Sequence, residues 1–397
     1  MSKTSEFSNL LTFVYKINQS CTLANQTEKK IPHLYFENLD ALRFLAAFSV
    51  FFFHYSSDMR AVFSNLGEHS VTKALLSIAE KGSLGVNFFF VLSGFLITYL
   101  IMYEVKHTGK FSLGKFLIRR TLRIWPLYFI IILISFVLFP VILDGYHTAH
   151  NPWMYMAFLA NFDEINNGLN DSLNFLTTLW SVAVEEQFYL FWGLALFVLY
   201  RIKKINFPLL IGIIFILSFI FRWYHWDEER TIYYHTFSVC QDILTGAFIA
   251  WSLFEGKRWL DKIKDLKKIW VLLIYIAGFA ICIAKNKIFA DELIIIERFV
   301  LSLFFGFIIL DQIRGANSIY KLGKVKVFNY LGKISYGLYM YHMVILFCVF
   351  AWMNSWGVES YWLMPIYFAL CLVLTISVAS LSYYLIEKPL LKLKPKR

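Results

Sequence analysis

The sequence predicts an all-α integral membrane protein of about ten transmembrane helices, with both termini in the cytoplasm. Three observations carry that prediction. Of the 397 residues, 58% are hydrophobic and 16% are charged, whereas about a quarter of a water-soluble domain is charged. The apolar residues gather in runs of the ~20 residues needed to cross a ~30 Å hydrocarbon layer. Lys and Arg fall in alternate loops, the signature of a cytoplasmic face. The 41 Phe, 23 Tyr and 12 Trp suit lipid-facing and interfacial positions. A net charge of +11 would suggest a nucleic-acid partner in a soluble protein, but here it marks the inner loops, and no nucleic acid is expected.

The chain opens with 38 mixed, polar residues that include Lys29-Lys30. This is not the layout of a cleaved signal peptide, so the first helix is expected to remain as an anchor. Residues 1–38 read as a cytoplasmic arm, 39–390 as one membrane domain and 391–397 as a short basic tail. The first span, 39–57, contains Arg43 and His54. An ionisable side chain inside a bilayer costs at least a few kcal/mol, so each is a functional candidate until a structural partner is found. Eleven positions apart, they share a helix face and differ by ~16 Å in depth, Arg43 near the cytoplasm and His54 in the outer half. The competing readings are a snorkelling anchor and a core histidine. Asp58, one turn beyond His54, is placed to orient its imidazole or to end the helix in solvent.

In the second span, 84–103, the pair Ser93-Gly94 reads as a close helix contact rather than a nucleophile, since small residues let helices approach. The loop 104–123 carries Lys106, Lys110, Lys115, Arg119, Arg120 and Arg123. At the start of the third span, 124–143, Arg120 and Arg123 fall on one side of a helical turn. Their guanidinium forks can grip phosphates there, or can simply anchor the inner end. The loop 144–179 has no Lys or Arg and carries Asp144, Asp163, Glu164 and Asp171, so it faces outward. Its Trp153, Tyr155, Phe158 and Phe162 suit the interface or a stacked sugar.

The fourth span, 180–200, enters from outside with Trp180-Ser181-Val182-Ala183-Val184-Glu185-Glu186-Gln187-Phe188-Tyr189. Glu185 and Glu186 then lie ~8 Å below the outer surface, near the depth of His54. One is expected to face a polar cavity and the other to pair with Arg222 or Arg298, unless both serve only to join helices. Spans 206–225, 235–254, 269–285 and 291–311 add Asp242 and the Glu297-Arg298 pair, which together suggest a wet cavity opening outward. Basic loops at 255–268 and 312–333 face inward. The ninth span, 333–353, brings Tyr339 and His342, and the tenth is 361–386. Asp58, Trp180, Tyr339 and His342 are the candidate substrate-binding residues; His342 reads equally as a hydrogen-bonded core residue. The five cysteines (Cys21, Cys240, Cys282, Cys348, Cys371) show no metal spacing and read as packing residues, so no metal is expected. No Walker A loop, G-x-S-x-G elbow or H-E-x-x-H site occurs, which removes support for ATP-driven transport and zinc proteolysis.

Taken in order, these pieces resemble the acyltransferase-3 family of bacterial inner-membrane O-acyltransferases. The resemblance runs from about residue 38 to 390. It rests on Leu39-Asp40-Ala41-Leu42-Arg43 followed by His54, on Phe89-Phe90-Val91-Leu92-Ser93-Gly94-Phe95-Leu96-Ile97, and on Arg120-Thr121-Leu122-Arg123. Trp180 to Tyr189, Ser335 to His342 and Glu387-Lys388-Pro389 complete it. It implies a cytoplasmic acyl-CoA co-substrate, usually acetyl-CoA, and a glycan or lipid-linked sugar acceptor, while some members acylate small molecules such as macrolides. By similarity His54 is the catalytic histidine, Arg43 its motif partner, and Arg120 and Arg123 bind the CoA phosphates; Glu185 and Glu186 join the catalytic candidates. Many members continue into an SGNH esterase-like domain, which is not expected in this chain; a second transfer step outside, if one is required, is then expected to need a separate protein.

The expected reaction carries an acyl group through the membrane to a hydroxyl of a cell-surface polysaccharide or glycolipid. Neutral His54 acts as general base, or as an acyl-histidine relay, with Arg43 or Tyr339 as oxyanion donor. The rival functions are a transporter or lipid-linked glycan flippase, in which the buried charges form a path, and a non-catalytic assembly partner. Sequence leaves the oligomeric state open.

Overall fold

The computed structural model describes residues 36–62, 76–143, 146–167, 175–202, 206–355 and 363–395; the arm up to residue 35 lies outside them. Of the described residues, 87% are helical and none is in a strand. Only a helix satisfies every backbone N–H and C=O within its own segment, which is what an open chain in lipid requires. Ten long helices follow one another among the described residues: α1 Glu37–Val62, α2 Leu84–Thr108, α3 Leu113–Leu133, α4 Leu179–Ile202, α5 Phe207–Tyr224, α6 Thr236–Phe254, α7 Lys268–Ile288, α8 Ile294–Arg314, α9 Ser335–Ser355 and α10 Met364–Ser382. Among the described residues nine helical segments, one for each of α2 to α10, are long and apolar enough to cross a membrane. α1, with 26 residues, is as long, but Asp40, Arg43 and His54 dilute its hydropathy.

Local chemistry sets the helix ends. α2 stops at Gly109, whose φ of 73° is the left-handed conformation glycine adopts without strain. Asn206 caps α5 by accepting from the Leu209 N–H, and Pro208 occupies its first turn. The start of α3 differs from the expectation by eleven residues, at Leu113 rather than 124. Hydropathy marks where lipid begins, whereas residues 113–123 lack lipid-facing character yet continue the same hydrogen-bonded ladder. Arg119, Arg120 and Arg123 are therefore inside a helix rather than in the loop before it. Two π-turns, Ile134–Leu138 and Tyr383–Glu387, extend α3 and α10 into short helices.

α2 and α6 pack along their lengths with backbones nearly touching. A Cβ on Gly94 would lie 1.9 Å from the Ile243 carbonyl oxygen, and one on Gly246 would lie 1.9 Å from that of Val91. Gly94 thus makes the close contact expected of Ser93-Gly94, and α8 joins the pair through a core that includes Leu92, Phe95, Ile249, Leu301 and Phe305. A second core joins α3, α4, α9 and α10 through Tyr128, Trp192, Leu196, Leu346 and Cys371. α1 contributes to both, with Leu39 and Leu42 in the first and Val50, Phe51 and Tyr55 in the second. The helix that carries the candidate histidine therefore lies between the two halves. The short helix Lys326–Lys333 lies against the start of α1, where a Cβ on Gly332 would meet the Asp40 carbonyl oxygen at 1.9 Å.

The segment 146–167 folds down onto α3 and α4. Tyr155 is wholly buried, Phe158 stacks on Tyr128 at 4.4 Å, and Phe162 meets His235 edge-on at 5.2 Å. Of the four aromatic residues expected at the interface or against a sugar, only Trp153, at 73%, is highly exposed. The others are turned inward by a buried knot in which His150 binds Asp163 at 2.5 Å and Tyr155 donates to Glu164 at 3.1 Å.

Candidate active site

α1 supplies the first two candidates. Leu39 and Leu42 are buried, which turns Asp40 and Arg43 together, and Arg43 Nη1 donates to Asp40 Oδ1 at 2.5 Å. The L-D-x-L-R opening is thus an i,i+3 ion pair between two buried leucines. Three turns further along the same helix, the ring centre of His54 lies 5.3 Å from that of His342 on α9.

α2, α3 and α4 build a polar tract around Arg120 and Arg123. Arg119 is committed elsewhere: its Nη2 donates to Glu104 at 2.6 Å, and the Ser112 N–H donates to the same carboxylate. Arg120 sits 5.6 Å from the ring centres of both Phe116 and Tyr189, a cation–π arrangement. The Tyr189 hydroxyl donates to Glu185 at 2.9 Å. Its one hydrogen is then used, so Ser93 is the donor in the 2.5 Å contact between the two hydroxyls. Trp125 Nε1 donates to Glu186 at 3.2 Å. Arg123 is within electrostatic reach of Arg43, Glu185 and Glu387.

These contacts correct two expectations. Arg120 and Arg123 do not form an inner station separate from Glu185 and Glu186; seven and ten residues into α3, they lie beside them. Nor does either glutamate pair with Arg222 or Arg298. Arg222 donates to the carbonyls of Ile294 and Ile295 and to Ser238. Arg298 binds Asp242 at 2.8 Å, with Asn87 donating to the same oxygen at 3.0 Å. Glu297 is held by Lys285 at 2.8 Å. Apart from Asn87 on α2, these groups belong to α5, α6, α7 and α8.

Trp180 is buried among Phe90, Tyr233 and Tyr234, which leaves it a wall residue. The Tyr339 hydroxyl shares a 2.7 Å hydrogen bond with Ser181 and also contacts the Thr178 carbonyl. The Asp58 side chain lies outside the described residues. Tyr189 and Ser93 were missed as site residues, although the S-x-x-x-E-x-x-x-Y spacing of Ser181, Glu185 and Tyr189 places all three along one helix face. Among the described residues no three His, Cys, Asp or Glu side chains gather as a metal would require.

A family model for an acyltransferase domain matches residues 36–384. The chain belongs to the acyltransferase-3 family. It is 30% identical over 392 residues to O-acetyltransferase OatA of Staphylococcus aureus strain NCTC 8325 / PS 47, covering 92% of this chain and 58% of that protein. It is 29% identical over 390 residues to the putative O-acetyltransferase SACOL0978 of S. aureus strain COL, covering 90% and 58%. The chain thus spans under two thirds of the length of these acyltransferase-3 relatives. No solved structure matches it.

Proposed function

We propose that this acyltransferase-3 protein resides in a bacterial inner membrane. There it transfers an acyl group, acetyl by analogy with its relatives, from acyl-CoA to a hydroxyl of a cell-surface polysaccharide or glycolipid. The observation that carries the reading is the placement of His54 beside His342 at one end of a polar stretch whose other members include Arg43, Arg120 and Arg123. Arg120 and Arg123 take the CoA phosphates, while Arg119 stays with Glu104. Ser93, Tyr189 and Glu185 keep the tract between the arginines and His54 polar.

In the transfer, a neutral His54 nitrogen takes the proton of the acceptor hydroxyl as that oxygen bonds to the thioester carbonyl carbon. The C–S bond then breaks, its electron pair leaves on sulfur, and the imidazolium returns the proton to the thiolate. Of the two oxyanion-donor candidates, Tyr339 lies one turn before His342, and its hydroxyl would have to leave the Thr178 carbonyl in order to donate. Arg43 is held by Asp40 and lies ~16 Å along the helix from His54. The transporter reading has less to support it, since Asp242 and Arg298 are paired with each other and Glu297 with Lys285.

The test uses inverted inner-membrane vesicles with acetyl-labelled CoA, following free thiol and label in the glycan fraction. His54→Ala should lower both by 10²–10⁴-fold. A folded His54→Ala protein with full activity sinks the mechanism, and wild-type vesicles indifferent to CoA favour transport.

A further inference from the structure

We propose that His342 is the positioning partner of His54: its Nε2 accepts the N–H of the His54 imidazole and so fixes which His54 nitrogen faces the acceptor hydroxyl. The inference rests on the reading of His54 as the general base.

His342 is wholly buried on α9. Its Nδ1 is 2.7 Å from the carbonyl oxygen of Tyr339. A carbonyl oxygen only accepts, so Nδ1 carries the hydrogen, and in the neutral ring Nε2 is left with a lone pair. That Nε2 is buried and has no hydrogen-bond partner among the described residues. A buried acceptor without a donor costs about 1–3 kcal/mol, so the fold maintains an expense that a donor would remove. The ring neighbours of His342 narrow the choice of donor. Phe51, with ring centres 6.3 Å apart, has no donor, and the Tyr339 hydroxyl is engaged with Ser181 and Thr178. His54, at 5.3 Å between centres and 47° between planes, stands about as far away as an N–H···N bond of about 3 Å places two imidazoles.

A general base needs one tautomer, and a third group that accepts its remote N–H provides it. In the familiar arrangement that group is a carboxylate; an imidazole lone pair does the same without placing a second charge in the bilayer. The bond strengthens when His54 takes its second proton, because hydrogen bonds from an ionised donor are the stronger kind.

Two amide replacements separate this role from packing. In His342→Asn the amide stands at the Nδ1 position and keeps the backbone bond but does not reach His54. In His342→Gln it stands at the Nε2 position and retains an acceptor there. With the vesicle assay above, His342→Asn should lower kcat roughly 10–100-fold with KM for acetyl-CoA unchanged, and His342→Gln should recover most of it. The amount of folded protein is measured by gel filtration in detergent. If both folded variants keep wild-type kcat, or both lose it equally, the inference falls while the role of His54 stands. If His54→Ala itself is fully active, the reading beneath it falls first.

Discussion

Arg119 and Arg120 are neighbours in sequence, yet Arg119 lies against Glu104 and Arg120 against the face of Tyr189. Their substitutions should separate accordingly. Glu104→Ala leaves Arg119 without its partner in a mostly buried setting, where breaking a pair costs about 3 kcal/mol, and denaturation of the purified protein should register that loss with KM for acetyl-CoA unchanged. Arg120→Ala or Arg123→Ala should instead raise that KM roughly 10–100-fold, the value of one charge-assisted hydrogen bond, with stability near wild type. A reversed pattern would reassign phosphate binding to Arg119. Legibility at this scale followed energetic cost. Arg43, His54, Glu185 and Glu186 announced themselves because a charge in an apolar run is expensive. Ser93 and Tyr189 escaped because a hydroxyl costs little in a hydropathy count. The partners of Arg222 and Arg298 were misread because pairing depends on which helices are neighbours, and a single sequence does not carry that information.

At the scale of elements, hydropathy located the membrane spans but not the helix ends. α3 runs back to Leu113 and carries its arginines inward, and that shift joins two groups of residues expected to lie apart. Sequence did reveal the small-residue contact of α2, although only packing identified Ile243 as the backbone it meets. Gly94→Val should therefore destabilise the protein by at least about 3 kcal/mol, since overpacking a tight core already costs 1–3 and here the obstacle is a carbonyl oxygen. Gly109→Ala is the control: nothing lies within 4 Å of its Cβ position, and only the left-handed φ opposes it, at about 1–2 kcal/mol. Similar losses for the two would mean that the seam is looser than these distances require.

For the whole molecule, the loop charges predict orientation. In a chain whose native cysteines are replaced, Trp153→Cys should react with a membrane-impermeant thiol reagent in intact cells and Lys257→Cys only in inverted vesicles. The opposite labelling would turn the protein over and move the arginine cluster to the far side from the CoA pool. The α2–α6 seam bears on how such a bundle can change over generations. Gly94 abuts Ile243 and Gly246 abuts Val91, so a side chain at either position forces the same two backbones apart. Once one replacement has opened the gap, the second meets less resistance, so the two costs do not add. Drift at these positions is consequently coupled: the loss of the second glycine costs less once the first has gone than it would alone.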